Sequence, residues 1–253
     1  MNNKPRISIV TVTYNALPVI LSCLESVAKQ TLECEHIIID GMSTDGTKEL
    51  LETYTNHRVS VLSEPDDGIY DAMNKGIQLA TGEIVGLLNA DDIYPTCFSL
   101  ERVAQIFENP AIDACYGDLC YVTANDLEKV VRYWKAGSYN PRKFYWGWMP
   151  PHPTFFVRKR FYKELGGYNN NLSLSADYEL MLRFILKNYL RVCYIPQVQV
   201  HMRVGGISNK TFNNRLMANK QDRMAWMVND LRPYPWTVMF KPLRKISQWF
   251  SRP

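Results

Sequence analysis

The 253-residue chain lacks the features that define several large protein classes. Its six cysteines (Cys23, Cys34, Cys97, Cys115, Cys120, Cys193) form no C-x-x-C pair. That argues against a zinc site and a disulfide framework and leaves reduced, half-buried thiols. No window approaches the roughly 18–20 consecutive apolar residues of a membrane span. The amino terminus MNNKPR is basic, but the apolar run Ile7–Thr13 behind it is short and alternating and has no small-residue cleavage site. It reads as a first strand and not as a signal peptide, so the sequons at Asn171 and Asn209 are chance matches. Neither G-x-G-x-x-G nor G-x-x-x-x-G-K-[ST] occurs, which leaves the dinucleotide and P-loop phosphate cradles without support. There is no repeat or low-complexity tract. With only 13 Gly and 14 Pro in a 46% hydrophobic chain, collagen-like and disordered classes are excluded.

The small net charge of +4 conceals an asymmetry. Residues 1–200 hold 19 Lys/Arg against 23 Asp/Glu, a net of −4, and residues 201–253 hold 10 against 2, a net of +8. An acidic body with a basic tail predicts that the tail meets something anionic. The acidic body and the lack of a nucleic-acid motif argue against nucleic acid as that partner.

The first hundred residues alternate strand and helix patterns. Strands are predicted at Ile7–Thr13, Glu35–Asp40, Arg58–Ser63 and Glu83–Leu88. Helices are predicted through Leu17–Ala28, through Leu50, Leu51 and Tyr54, and over Ile69–Ala80. Such alternation predicts a parallel sheet covered on both faces, with ligands bound beyond the carboxyl ends of its strands. After about Thr96 the pattern changes. Phe98–Phe107, Arg158–Leu165 and Ala176–Asn188 read as helices, Ala114–Val122 and Lys129–Tyr133 as antiparallel strands, and Arg191–Met202 as a strand pair broken at Pro196. The expected fold is α/β, with a nucleotide-binding half (1–95) and an acceptor half (96–208) in one domain, followed by a basic helical tail (209–253).

Each early strand runs into a polar or acidic loop, namely Thr11-Val-Thr-Tyr-Asn15, Asp40, Glu64-Pro-Asp-Asp-Gly68 and Asn89-Ala-Asp-Asp92. Singly, each is an ordinary turn or cap, as Asp45 before a helix would be. Together they converge on one crevice. Asp91 and Asp92 repel one another unless a cation lies close by, and hard carboxylate oxygens suit Mg²⁺ or Mn²⁺. The competing reading is a turn before the following helix.

TVTYNA (11–16), IDGMSTDGT (39–47), EPDDGIYDAMNKGIQLATGEIVGLLNADD (64–92) and HPTFFVRKRFYKELGGYNNNLSLSADYELMLR (152–183) resemble glycosyltransferase family 2. The resemblance runs over residues 6–208 in the family's order. It implies a GT-A fold, a Rossmann-like half with a mixed, mainly parallel sheet fused to an acceptor half. It also implies inverting sugar transfer from a nucleotide sugar, of the kind used in bacterial O-antigen and exopolysaccharide assembly. On this resemblance Thr13, Tyr14, Asn15 and Asp40 line the nucleoside pocket, and Asp67 and Asp71–Lys75 close on ribose and diphosphate. Asn89-Ala90-Asp91 then stands at the metal motif, with Asp91 and Asp92 as ligands of Mn²⁺ or Mg²⁺. Asn89 departs from the family's aspartate and contributes no charge.

The resemblance further implies that Asp177 is the base that deprotonates the acceptor, with Glu179 as the alternative, although on sequence alone a simple helix N-cap is the favoured reading of Asp177. His152 is implied as an acceptor-side contact. Arg203 and the Gly205–Ser208 loop are implied to fold over the donor phosphates. Trp146 and Trp148, in the loop Phe144–Met149, read either as core or as an acceptor-side platform.

In the tail, Met239, Leu243, Ile246 and Phe250 fall on one helical stripe beside Trp249, opposite Lys241, Arg244 and Lys245. A helix of this kind either lies on an anionic membrane surface or packs on the protein's own body. The expected partners are a UDP-sugar donor, or a GDP-sugar in a second reading, and a polyprenyl-diphosphate-linked sugar acceptor. The expected location is the cytoplasmic face of the cell membrane, peripherally bound. A silent nucleotide-sugar binder is the reading outside enzymes, and Asn89 is its main argument.

Overall fold

The computed structural model describes residues 5–205 and 212–248. Gly206–Ser208, Asn209, Trp249 and Phe250 lie outside the described residues, as do the side chains of Leu243, Lys245 and Ile246. Strands β1 (Ile7–Thr13), β2 (Glu35–Asp40), β3 (Val59–Ser63) and β4 (Ile84–Leu87) form a parallel set in the order β3-β2-β1-β4. Helices α1 (Ile20–Ala28), α2 (Thr47–Thr53) and α3 (Ile69–Leu79) connect them. Every residue of β1 is buried, and its two faces pack in opposite directions. Val10 and Val12 join the cluster holding Ala72, Met73 and Ile77 of α3. Ile7 and Ile9 join Val103, Ala104 and Phe107 of α4 (Ser99–Phe107) on the other side.

The sheet continues past β4 through β8 (Phe156–Arg158), β6 (Ala114–Val122), β9 (Val192–Arg203) and the two-residue β5 (Asp92–Ile93), and β7 (Val130–Trp134) pairs with β6. Three features here differ from the pattern read along the chain. After the short α5 (Arg142–Tyr145), Arg158 ends strand β8, so helix α6 (Arg160–Leu165) begins later than the pattern suggests. β9 is one continuous strand running parallel to β6, not a pair broken at Pro196. The chain passes the proline as a bulge, because Gly117 pairs with Ile195 whereas Asp118 pairs with Val198. Proline has no N–H to give a ladder, and the bulge leaves it and Gln197 unpaired without ending the strand. β5 and β8 were too short to carry a periodicity.

Helix α7 (Ala176–Met181) continues into a π-helical turn, Leu182–Lys187. The described tail forms α8 (Phe212–Met227) and α9 (Thr237–Ser247). Both pack on the acceptor half. Trp226 of α8 is fully buried and donates from Nε1 to the Tyr178 hydroxyl at 3.0 Å. Lys241 of α9 pairs with Asp222 at 2.8 Å and lies 3.8 Å from the centre of the Tyr178 ring. All six cysteines are free thiols, and burial pushes Cys23 and Cys34 up to about 12. Among the described residues no helix is long and apolar enough to cross a membrane.

α3 lies flush on β1 because residue 76 is glycine. A Cβ there would meet Val10 Cγ1 at 2.2 Å. Gly76→Ala should therefore destabilise the fold by about 1–3 kcal/mol in urea unfolding, and Val10→Ala in the same chain should recover part of the loss. A pH effect comes from His36, which is buried on β2 with Nε2 2.9 Å from Thr11 Oγ1 and is lowered to about 3 by desolvation. Between about pH 6.5 and pH 3 the unfolded chain takes up a proton there that the folded one refuses. Stability should fall through that window by about 1.4 kcal/mol per pH unit from this residue, a slope that His36→Gln should lack in urea titrations at each pH.

Candidate active site

The loops after β1, β2 and β3 are stitched into one wall. Asn15, at φ 50, accepts the Thr44 N–H on Oδ1 at 2.8 Å and gives its own N–H to Ser43 Oγ. Asp45 Oδ1 accepts the Thr47 N–H at 3.0 Å, and its other oxygen takes the Leu17 N–H at 3.1 Å. Asp40 is fully buried and binds Ser43 and Ser63 through their hydroxyls, so it serves as the hub of the wall. Thr13 is buried with no partner for its hydroxyl. Tyr14 stands out of the wall at 65% exposure.

The carboxylate packed against this wall is Asp66. A Cβ on Gly41 would be 2.5 Å from Asp66 Oδ2 and 3.5 Å from Tyr14 Cδ2, so only glycine admits that approach. Asp67 is exposed, and its backbone N–H goes to Asp71 Oδ2 at 3.2 Å. Lys75 reaches Glu64 at 2.9 Å, Asp71 at 3.3 Å and the Pro65 carbonyl at 2.6 Å. Asp71 and Lys75 thus hold the 64–68 loop in place. The adjacent aspartates at 66 and 67 are equivalent in a sequence, and only the loop's conformation separates them.

The turn after β4 is fixed by backbone bonds. Leu88 N–H goes to Val10 O, Ala90 N–H to Val12 O, and Asp92 N–H to Asn89 O at 3.0 Å. Arg203, at the end of β9, is buried beneath it and donates to the Asp91 carbonyl at 2.6 Å and to Ser22 Oγ at 2.8 Å. Its guanidinium holds the turn from below and is a nearby positive charge for Asp91 and Asp92. Burial raises Asp91 above the usual carboxylate range, opposed by Arg203 and His152. Asp92 is raised further, by complete burial and by the charge of Asp91. Neither of its buried oxygens has a well-formed hydrogen bond. A buried carboxylate beside a second one is held as the anion by nearby positive charge, which Arg203 supplies in part. Among the described residues no three His, Cys, Asp or Glu gather as a metal cage.

Opposite this turn stands Asp177, at the start of α7. Its Oδ2 is 3.2 Å from His152 Nδ1 and its Oδ1 accepts the Tyr70 hydroxyl at 3.3 Å. Burial holds His152 below its ordinary range against the pull of Asp177 and Asp91. His152 thus contacts Asp177 and lies within electrostatic reach of Asp91. Tyr70 belongs to α3, and its hydroxyl also lies against the backbone N–H groups of Ala176 and Asp177. One turn further on, Asn74 binds the Tyr168 backbone twice, accepting its N–H at 2.7 Å and donating to its carbonyl at 2.9 Å. The Tyr70 and Tyr168 rings stack with centroids 5.4 Å apart. Along the chain, Asn74 stands out only as part of the Asp71–Lys75 segment, and Tyr70 does not. Both are half-buried on α3, whose buried residues are Ala72, Met73, Gly76 and Ile77.

Two acceptor-side candidates are enclosed. Glu179 is buried, bidentate to Arg183 with both distances at 2.9 Å, and bound by Asn229. Trp148 is in the core, with its Nε1 on the Ala136 carbonyl and Phe144, Tyr116 and Tyr139 around it. A ring so enclosed offers no face to a ligand. Trp146 is exposed and touches Trp236 and Phe240 of the tail.

Comparison with known proteins identifies the family and the fold. Residues 8–190 match the family model described as Glycosyl transferase family 2. The PGL/p-HBAD biosynthesis glycosyltransferase of Mycobacterium bovis (strain BCG / Pasteur 1173P2) is 29% identical, over 98% of each chain. Among solved structures, S. aureus TarS superposes with a TM-score of 0.70 at 19% identity, over 96% of this chain and 72% of that one, and TarS is also known in complex with UDP-GlcNAc. The mannosyltransferase PcManGT of Pyrobaculum calidifontis, in complex with GDP-Man and Mn²⁺, superposes with a TM-score of 0.64 at 18% identity, over 99% and 76%. The fold is that of the GT-A glycosyltransferases, and the chain belongs to glycosyl transferase family 2.

Proposed function

We propose that the protein is an inverting transferase that moves a hexose from a UDP-sugar to a lipid-linked sugar acceptor in surface-polysaccharide assembly. The observation that supports this reading most is that His152, in contact with Asp177, also lies within electrostatic reach of Asp91 from the turn after β4. Inverting transfer requires a base on the face of the sugar opposite the leaving nucleotide. Two carboxylates supplied by opposite walls meet that demand.

In this mechanism Tyr14 and Asp66 receive the nucleobase, and Asp40 keeps their wall rigid. Asp177 accepts the proton of the acceptor hydroxyl as its oxygen bonds to the anomeric carbon and the bond to the nucleotide's diphosphate breaks, inverting the centre. His152 and Tyr70 each direct a hydrogen at the Asp177 carboxylate and fix its orientation. Asp91, supported by Asp92, would hold Mn²⁺ or Mg²⁺, with Asn89 adding a neutral oxygen at most. The buried Asp92 carboxylate, whose oxygens lack a well-formed hydrogen bond, fits such an ion, and the small protein donor set fits one whose shell is completed by water and diphosphate. When bound, the ion neutralises the charge that develops on the departing diphosphate. TarS bound to UDP-GlcNAc favours a uridine donor, and PcManGT bound to GDP-Man is the reason to keep a GDP-sugar as the second reading.

Asp91→Ala should lower metal-dependent turnover by on the order of 10²–10³, measured as nucleotide released with Mn²⁺ and with EDTA, and unchanged turnover would remove the metal assignment. Asp177→Asn should keep UDP binding in calorimetry and lose about 10²–10⁴ in transfer rate. Tyr70→Phe should lower kcat about tenfold through a misaligned base while leaving the donor KM unchanged. The reading as a whole is tested by a screen of UDP- and GDP-sugars against a short-chain HexNAc-diphosphate-lipid. A nucleotide sugar that binds but is never transferred would identify a silent binder.

A further inference from the structure

Three exposed aromatic residues and a methionine gather on one face beside the tail. Trp146 is 48% exposed, Tyr234 48%, Trp236 41% and Met239 65%. The three rings form a chain, with Tyr234 to Trp236 at 5.2 Å and Trp236 to Trp146 at 6.1 Å between centroids. Beneath them Tyr145 packs on Tyr234 at 5.2 Å and on the fully buried Trp226 at 5.0 Å. The segment Arg232-Pro-Tyr-Pro-Trp236 presents this surface in a fixed shape. Prolines flank Tyr234, the Thr237 N–H closes a turn onto the Tyr234 carbonyl at 3.0 Å, and Thr237 Oγ1 donates to the Tyr145 carbonyl at 2.7 Å. Large rings held in water over a buried support mark a binding surface.

We infer that the Trp146–Tyr234–Trp236 face docks the protein on an anionic lipid bilayer. Indole and phenol rings combine an apolar body with a polar edge, which suits the boundary between headgroups and acyl chains. Charge supplies the sign. Exposed Arg142 lies one turn before Trp146, exposed Arg232 lies two residues before Tyr234, and exposed Arg244 follows on α9. They belong to a region whose last 53 residues carry +8. A second copy of the chain meeting this face about a two-fold axis would set like charges together, whereas anionic headgroups complement them. The face is also tied to the cleft. α9 is seated on Gly147, where a Cβ would be 2.4 Å from the Lys241 nitrogen, and Lys241 contributes to the field at His152. The inference deepens the proposed transfer to a lipid-linked acceptor and rests on that reading for its purpose, but its test is independent of activity.

The test is sedimentation of the full chain with phosphatidylcholine vesicles, with and without phosphatidylglycerol, together with quenching of tryptophan fluorescence by brominated lipid. Wild type should bind the anionic vesicles, more weakly as salt rises, and be quenched. The double variant Tyr234→Ser/Trp236→Ser should lose on the order of tenfold in vesicle partitioning, with unchanged circular dichroism and UDP binding. Arg232→Glu, which leaves the rings in place, should weaken binding to anionic vesicles alone. Wild type that ignores the vesicles, or variants that bind and are quenched like wild type, would overturn the proposal. So would variants that only convert a dimer to a monomer, or that only raise KM for a soluble acceptor, since these would assign the face to self-association or to the acceptor sugar.

Discussion

The cleft depends on a pair of hydrogen bonds from one amide side chain. Asn74 of α3 accepts and donates across the backbone of Tyr168, as a neighbouring strand would, and so fastens the β1–β4 half to the loop that leads into α7. The latch is tight because residue 167 is glycine, where a Cβ would stand 2.3 Å from Asn74 Oδ1. One turn earlier on the same helix, Tyr70 holds the start of α7 and the Asp177 carboxylate. A neutral side-chain amide suits this joint better than an ion pair, because it satisfies a backbone N–H and a carbonyl together and does not bury a charge.

From the other side the same region is held by Arg183. Its guanidinium meets Glu179 and also donates to the carbonyls of Gly166 and Gly167 at 2.7 and 2.6 Å. The loop carrying Tyr168 therefore lies between Asn74 and Arg183. Asp177 sits where the helix held by these contacts begins, and the π-helical turn that follows contains Arg183 itself. Such turns accommodate one extra residue in a helix and recur near functional sites. Arg203 plays the corresponding part beneath Asp91. Asp91 and Asp177 thus each have an arginine, the buried Arg203 and the half-buried Arg183, that orders the surrounding backbone.

The tail completes the acceptor half. Trp226, Asn229, Thr237 and Lys241 make contacts reaching Tyr178, Glu179, Tyr145 and Asp222. Lys241, which the helical stripe places opposite Met239, does face away from it, yet it turns inward to a buried aspartate. The side that remains outside carries Met239 and adjoins Trp146 and Trp236. The basic tail is therefore divided, with one cation spent on folding and others at an aromatic surface.

The sequence by itself determined the alternation of β1 to β4 with α1 to α3, the loops that carry chemistry, and the family. These are local properties, since burial on both faces writes a continuous apolar strand and crossover topology puts the polar residues at the strand ends. It could not distinguish Asp66 from Asp67, because neighbours of the same type differ only in which way the loop turns them. It could not carry the strand through Pro196, since the bulge is a property of the partner β6. The roles of Tyr70 and Asn74 stayed hidden because a tyrosine and an asparagine on a helix look ordinary until the segment near residue 168 is brought beside them. Tertiary structure alone decided which aromatics are core, Trp148, and which face outward, Trp146. The reason is physical: burial and pairing depend on residues distant in the chain, and periodicity reports only what is near.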